Sequence, residues 1–360
     1  MTVIVAILGL IALIIIHELG HMLTAKALGV HVPEFGVGFG PALFKKKVGK
    51  TVYSFRIILL GGFARMKGME GIASMKEVTG ERGADSYLGK AAWRRALIIF
   101  AGPFANLLVA VAIFAGIFMV GVPTGVEPEV EQVVPGSLAA EMGLEQGDKI
   151  LSVDGVAVEE WEDFQGTVVE KSPGDEVTLV AEQNGEREEY SGALTADPED
   201  PEKAIVGVQP VLVYTSYGPL EALWEGTKRT FEVIGLFGWF VGQLVTGQTS
   251  FYENAAGPVG IVNVSSVIAS EEGAFVFAQL LAFISLNLAV FNLIPLLPLD
   301  GGHLFFIAAE KVLGRPVSPE TVARVAAFGL ALILMLFVFA TYADLSKIFT
   351  GQPLIPEQGP

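Results

Sequence analysis

Apolar positions along this chain fall into long blocks, separated by stretches of a different grain. Val3–Leu28 is the first block, and the run Thr2–Ile16 carries no charge. Ala96–Val122, Ala274–Leu297 and Val322–Tyr342 are the others, each near the roughly 20 residues a helix needs to cross a bilayer. Between the first two blocks the pattern changes to alternation. Gly36-Val37-Gly38-Phe39-Gly40-Pro41 leads to a basic turn, Lys45-Lys46-Lys47. Thr51–Ile58 follows, rich in β-branched and aromatic residues, and Gly61-Gly62 closes it. This predicts a β-hairpin or small sheet, apolar enough to enter the membrane, with an edge able to take an extended chain as an added strand.

Thr124–Val213 alternates short strands with turns, which predicts one small α+β domain. Pro135–Ala140 should begin a short helix ending near Gly143, and Gly147–Gly155 reads as turn, strand, turn. Asn184-Gly185 is a hairpin signal. Pro219–Val245 is aromatic-rich and weakly charged, and predicts an interfacial amphipathic helix rather than a fifth span. The expected fold is a polytopic α-helical membrane protein of about four spans, with a membrane-associated β-hairpin or sheet and one inserted domain. Its segments are 1–123, 124–213, 214–273 and 274–360.

Charge orients these elements. His31–Arg95 carries 12 Lys/Arg and 5 Asp/Glu, whereas Gly121–Gly273 carries 6 Lys/Arg and 28 Asp/Glu. The excess of positive charge in cytoplasmic loops puts the first stretch in the cytoplasm and the second outside. The net charge of -16 argues against a nucleic-acid partner. The first block is expected to be a retained span rather than a secretory signal, because no Lys or Arg precedes Lys26.

The block pattern is broken by chemistry in one place, His17-Glu18-Leu19-Gly20-His21. On a helix, His17 and His21 project from the same face. Two imidazoles at that spacing can clamp a zinc ion, with the glutamate between them as general base. Ionisable groups in an apolar helix are costly and mark function. With no cysteine in the chain, a metal site must draw on His, Asp or Glu. A catalytic zinc needs a third protein ligand and an open position. Asp300, in Asn292-Leu-Ile-Pro-Leu-Leu-Pro-Leu-Asp300-Gly301-Gly302-His303, is the best candidate. It lies at the span end that the charge pattern puts on the same side as His17. Pro295 and Pro298 would break the helix there, and the two glycines permit a tight backbone. His31 and His303 are weaker candidates. Asn106, in Gly102-Pro-Phe-Ala-Asn106, is either part of a small-residue packing notch or a border of the site. Asn292 could cap the broken helix or hydrogen-bond a substrate backbone.

Together these residues resemble the site-2 protease family of intramembrane zinc metalloproteases, in its bacterial regulator-of-sigma-E branch. The resemblance implies Zn2+ held by His17, His21 and Asp300, with Glu18 as catalytic base. It implies that Gly38, Phe39 and Gly40 of the β-loop, with Asn106 and Asn292, bind substrate. Gly257-Pro258-Val259-Gly260-Ile261 matches a further signature, and Thr124–Val213 looks like a single PDZ domain. The implied function is regulated intramembrane proteolysis of single-span membrane proteins, such as anti-sigma factors or signal-peptide remnants. The implied place is a bacterial inner membrane, with the PDZ domain extracytoplasmic and the active site near the cytoplasmic side. Two features depart from the pattern: Pro295-Leu-Leu-Pro298 replaces the usual Pro-x-Pro, and there is room for one PDZ domain instead of two. An alternative is a non-catalytic PDZ-bearing adaptor with structural zinc. A zinc transporter would want ligands in more than one layer, and the sequence offers one cluster.

Overall fold

The computed structural model describes residues 2–69, 83–183, 185–197, 200–249, 260 and 273–350. In chain order its elements are α1 (Thr2–Ala27), β1 (Glu34–Val48), β2 (Thr51–Arg65), α2 (Ala92–Val120), β3 (Val122–Val133), α3 (Leu138–Met142), β4 (Lys149–Val153), β5 (Val156–Ala157), α4 (Trp161–Val169), β6 (Glu176–Gln183), β7 (Glu186–Ala193), β8 (Thr195–Ala196), β9 (Ala204–Ile205), β10 (Val208–Thr215), α5 (Pro219–Thr246), α6 (Gly273–Asn292), α7 (Asp300–Leu313) and α8 (Pro319–Thr350). Two compact units result: Met1–Ile117 with Gly218–Pro360, and Phe118–Tyr217.

Among the described residues of the first unit, α1, α2, α6 and α8 are long and apolar enough to cross a membrane. The third predicted span ends early, at Asn292 rather than Leu297. The residue before a proline is pushed out of the α region, so Pro295 and Pro298 forbid continuation. Tight turns join α6 to α7 instead, with Leu296 N–H donating to Ile294 O and Leu299 N–H to Leu296 O. Side chains at Gly301 and Gly302 would run into the backbone of Leu293 and Leu297. Glycine is thus what lets the turn fold back onto the start of α7.

β1 and β2 form one sheet in which both strands bend. Val48 pairs with Thr51 and Phe44 with Phe55, giving a tight hairpin. Glu34–Val37 then lie beside Val52–Phe55 in ascending register, and beside Gly62–Arg65 in descending register. The segment Gly62–Arg65 is therefore an outer strand. Glu34 clasps the arrangement: its carboxylate accepts from Ser54 Oγ at 3.0 Å and Arg56 Nη2 at 2.8 Å, and meets Arg65 Nη1 at 3.3 Å. Burial works to raise the Glu34 pKa, but the hydrogen bonds from Arg56 and Ser54 outweigh it and hold the carboxyl below its usual range. A hydrophobic core of Met22, Val32, Phe35, Tyr87, Ile98 and Ile307 joins α1, β1, α2 and α7. α5 packs against two of the spans. Gly226 abuts the backbone of Val111 and Ala115, and Phe237 meets Phe291 edge-on with ring centroids 5.2 Å apart.

The second unit holds a sheet of order β10-β3-β4-β6-β7, with β5 paired to β4. Its core packs Val130, Ile150, Leu179 and Ala181 under Trp161 and Phe164 of α4. The predicted helix after Pro135 is α3, which Gly143 ends in the left-handed conformation. Asp154 and Gly155 make the predicted turn after β4, both at positive φ. Gln183 pairs with Glu186 across the predicted Asn184-Gly185 turn, whose Asn184 lies outside the described residues. Of the Gly257–Ile261 signature only Gly260 is described. This content agrees with an inserted PDZ domain.

Candidate metal centre

α1 is continuous through His17 and His21, so both imidazoles leave the same face. They are 7% and 5% exposed. Asp300 is the first helical residue of α7, after Leu299 at the N-cap. A carboxylate there is favoured by the helix dipole. The fold brings it to the histidines across 279 residues or more: Oδ2 lies 3.1 Å from His17 Nε2 and 3.3 Å from His21 Nε2. The two Nε2 atoms are 3.2 Å apart. Ligands at about 2.0–2.2 Å around tetrahedral zinc stand roughly 3.3 Å from each other. The triangle is therefore the right size for one zinc ion with a fourth, open position.

His17 Nε2, His21 Nε2 and Asp300 Oδ2 face one another, and the groups around them orient the two imidazoles. His21 Nδ1 donates to Ile98 O at 2.9 Å, which points the Nε2 lone pair into the triangle. Asn106 is fully buried and its amide meets His17 Nδ1 at 3.4 Å. Among the described residues its Oδ1 has no donor, and Asp300 Oδ2 meets only the two facing imidazoles. Amide oxygen and nitrogen are interchangeable by a flip. With Oδ1 turned to a protonated His17 Nδ1, both histidines present bare Nε2 atoms beside a carboxylate oxygen. A divalent cation satisfies all three. His17, His21 and Asp300 form the metal-sized cluster found among the described residues, and His31 and His303 are not in it.

Two glycines let α1 and α2 approach closely enough for this. A side chain at Gly20 would meet the Ala101 carbonyl, and one at Gly102 would meet the His21 ring. The Gly102–Asn106 stretch is thus both a packing notch and a support for the site. Ser285 Oγ donates to Asn106 O at 2.8 Å and ties α6 to the same point.

Glu18 faces the β-sheet. The Ala64 backbone hydrogen-bonds its carboxylate, and a Cβ at Gly62 would stand 3.0 Å from its Cγ. The outer strand Gly62–Arg65 therefore runs past the glutamate. Gly38 and Gly40 adopt positive φ, and Phe39, half exposed, covers Gly61. Asn292 closes α6 and donates to Leu288 O at 2.9 Å. Ile98 was invisible in the sequence, because a backbone carbonyl carries no residue-type signal. It also hid a pair that ties α2 to α7: Arg95 Nη2 and Glu310 Oε2 are 2.8 Å apart. Their 215-residue separation conceals them, although Asp300, His303, Ile307 and Glu310 share one helical face.

A sequence profile described as peptidase family M50 matches residues 5–336. A relative from Agrobacterium fabrum is 34% identical over 364 residues, covering 95% of each chain. The regulator of sigma-W protease RasP of Bacillus subtilis is 29% identical, over 97% of this chain and 99% of that one. The zinc metalloprotease RasP of Geobacillus kaustophilus is 28% identical, over 94% and 96%. Over 24% of its length the chain is similar to the crystal structure of the PDZ domain of an SdrC-like protein from Listeria monocytogenes, at 28% identity, 87% of that chain and a TM-score of 0.22.

Proposed function

We propose, from the premise that this chain belongs to peptidase family M50 and is a membrane-embedded zinc metalloprotease of the site-2 type, that His17, His21 and Asp300 hold its zinc and Glu18 is its base. The three mutually facing ligand atoms, with Asp300 Oδ2 otherwise unpartnered among the described residues, carry this reading. Zinc bound there would supply the Lewis acidity that activates water and polarises a peptide carbonyl. Glu18 takes the proton of the attacking water and delivers it to the leaving amine. The outer strand Gly62–Arg65 holds the substrate in extended form, aligned with Glu18. Extension matters because a helical substrate has its carbonyls hydrogen-bonded. Asn106 orients His17 rather than touching substrate, since it is fully buried.

Three ligands rather than four favour catalysis over a structural zinc in an adaptor. The substrates are single-span membrane segments, with anti-sigma factors or signal-peptide remnants as the proposed classes. The acidic inserted domain lies outside the cytoplasmic membrane, and the active site lies toward the cytoplasm. Glu18→Gln in proteoliposomes tests the mechanism. It should abolish cleavage of a single-span substrate while metal analysis still finds stoichiometric zinc. Cleavage at the unaltered rate would refute the assignment of the base.

A further inference from the structure

From Phe35 to Gly68 the chain has seven basic residues and no acidic one. Three of the seven are paired: Arg56 and Arg65 with Glu34, and Lys67 with Asp85. The other four, Lys45, Lys46, Lys47 and Lys50, have no ion pair or hydrogen bond among the described residues. All four are exposed, and all sit at the tip of the β1–β2 hairpin. Alternation along the strand puts Lys46 on the face of Phe44 and Val48, and Lys45 and Lys47 on the opposite face. Positive charge thus rings the tip on both sides. Directly behind the ring, Leu43 and Phe44 are 64% and 62% exposed, and Phe55, Ile57 and Ile58 are exposed as well. An exposed apolar band under a collar of ammonium groups unpaired among the described residues matches acyl chains below and anionic headgroups above.

We propose that this hairpin tip is a binding surface for anionic phospholipid headgroups. The apolar band enters the hydrocarbon, and the four lysines extend to phosphates at the leaflet surface. The contact fixes the depth of the sheet. Its far edge, Gly62–Arg65, is thereby held level with Glu18. Anionic lipid then supports cleavage by keeping the outer strand in place. The effect on cleavage rests on the reading of that strand as the substrate dock, whereas the headgroup contact does not.

Because the chain lacks cysteine, Val48→Cys gives a single labelling site on the intact protein. A fluorophore there is read in nanodiscs of phosphatidylcholine, with or without phosphatidylglycerol, against a headgroup-attached quencher. Quenching should rise with phosphatidylglycerol and fall again at high salt. Each Lys→Gln change should lower the preference for the anionic lipid roughly fivefold. Replacing all four lysines by Arg should preserve it, which separates charge from folding damage. Quenching that is equal in neutral and anionic discs, or unchanged in the four-Gln variant, overturns the proposal. So does a label that is shielded in native membranes by a protein and is indifferent to headgroup charge. If quenching behaves as expected but cleavage ignores phosphatidylglycerol, the headgroup contact stands and its support of cleavage falls.

Discussion

The two halves of the metal cluster are built in opposite ways. The histidine half is one uninterrupted helix, where a four-residue spacing alone sets His17 beside His21. Its supports come from a single neighbour, α2, through Ile98 O and Asn106. The aspartate half is assembled. Asp300 depends on the early end of α6, on turns that fold over Gly301 and Gly302, and on the packing of α7 against α1 and α2. Regular secondary structure places two of the proposed ligands at no extra cost in strain. The third proposed ligand lies past the end of α6, as the first helical residue of α7. The site is thus rigid on one side and contingent on tertiary packing on the other.

The largest expected effect tests whether both halves are needed. Asp300→Ala should lose zinc as completely as His17→Ala, by more than the roughly 10–100-fold that outer supports contribute. Stoichiometric zinc in purified Asp300→Ala would dissolve the comparison, since the histidine half would then suffice. Asn106→Leu comes next. It deprives His17 Nδ1 of its partner, and zinc affinity by chelator competition should fall about 10–100-fold with the fold intact. Arg95→Gln addresses the assembled half alone. Freed from Glu310, α7 should hold Asp300 less well, weakening zinc about tenfold and altering the visible spectrum of the cobalt-substituted protein. Exchanging the pair, Arg95→Glu with Glu310→Arg, should restore both readouts.

The smallest effect concerns the inserted unit. Lys171, 2.6 Å from Asp154, and the Thr178 N–H hold the Asp154 carboxyl below its ordinary value. A depressed pKa gives stability that is complete above the usual carboxylate range and is lost as pH falls through the folded value. Acid should therefore sensitise residues 118–217 of the full chain to limited proteolysis, and Asp154→Asn should flatten that dependence. A partly exposed pair of this kind is worth at most about 1 kcal/mol. Zinc affinity should not move, which marks the inserted unit as separate from both halves of the cluster.

The contrast between the halves also explains what could be read before folding. His17 and His21 declare themselves by spacing on an apolar helix. Asp300 could be reached because the chain has no cysteine and few histidines, and because charge asymmetry put it on the same side. Its neighbours Pro295 and Pro298 announced a break, but the end of α6 at Asn292 was legible only as an approximate boundary. Asn106 was ambiguous because a small-residue notch and a ligand support look alike in sequence. Ile98, Arg95 and Glu310 were out of reach: a carbonyl has no identity, and the ion pair exists only once α2 and α7 have met. The basic turn at Lys45–Lys47 was visible, but its lack of partners among the described residues emerges only when Glu34 and Asp85 are seen to serve other cations.

A site divided in this way also has a timetable. His17, His21 and Asn106 all leave the ribosome within the first third of the chain, and Asp300 follows Asn106 by 194 residues. At about 5–20 residues per second, that gap lasts roughly 10–40 s. For that interval the newborn protein carries a histidine pair with no carboxylate to complete it. On the proposed ligand assignment, a protease that shares its membrane with other nascent chains is therefore inert until most of its own synthesis is done.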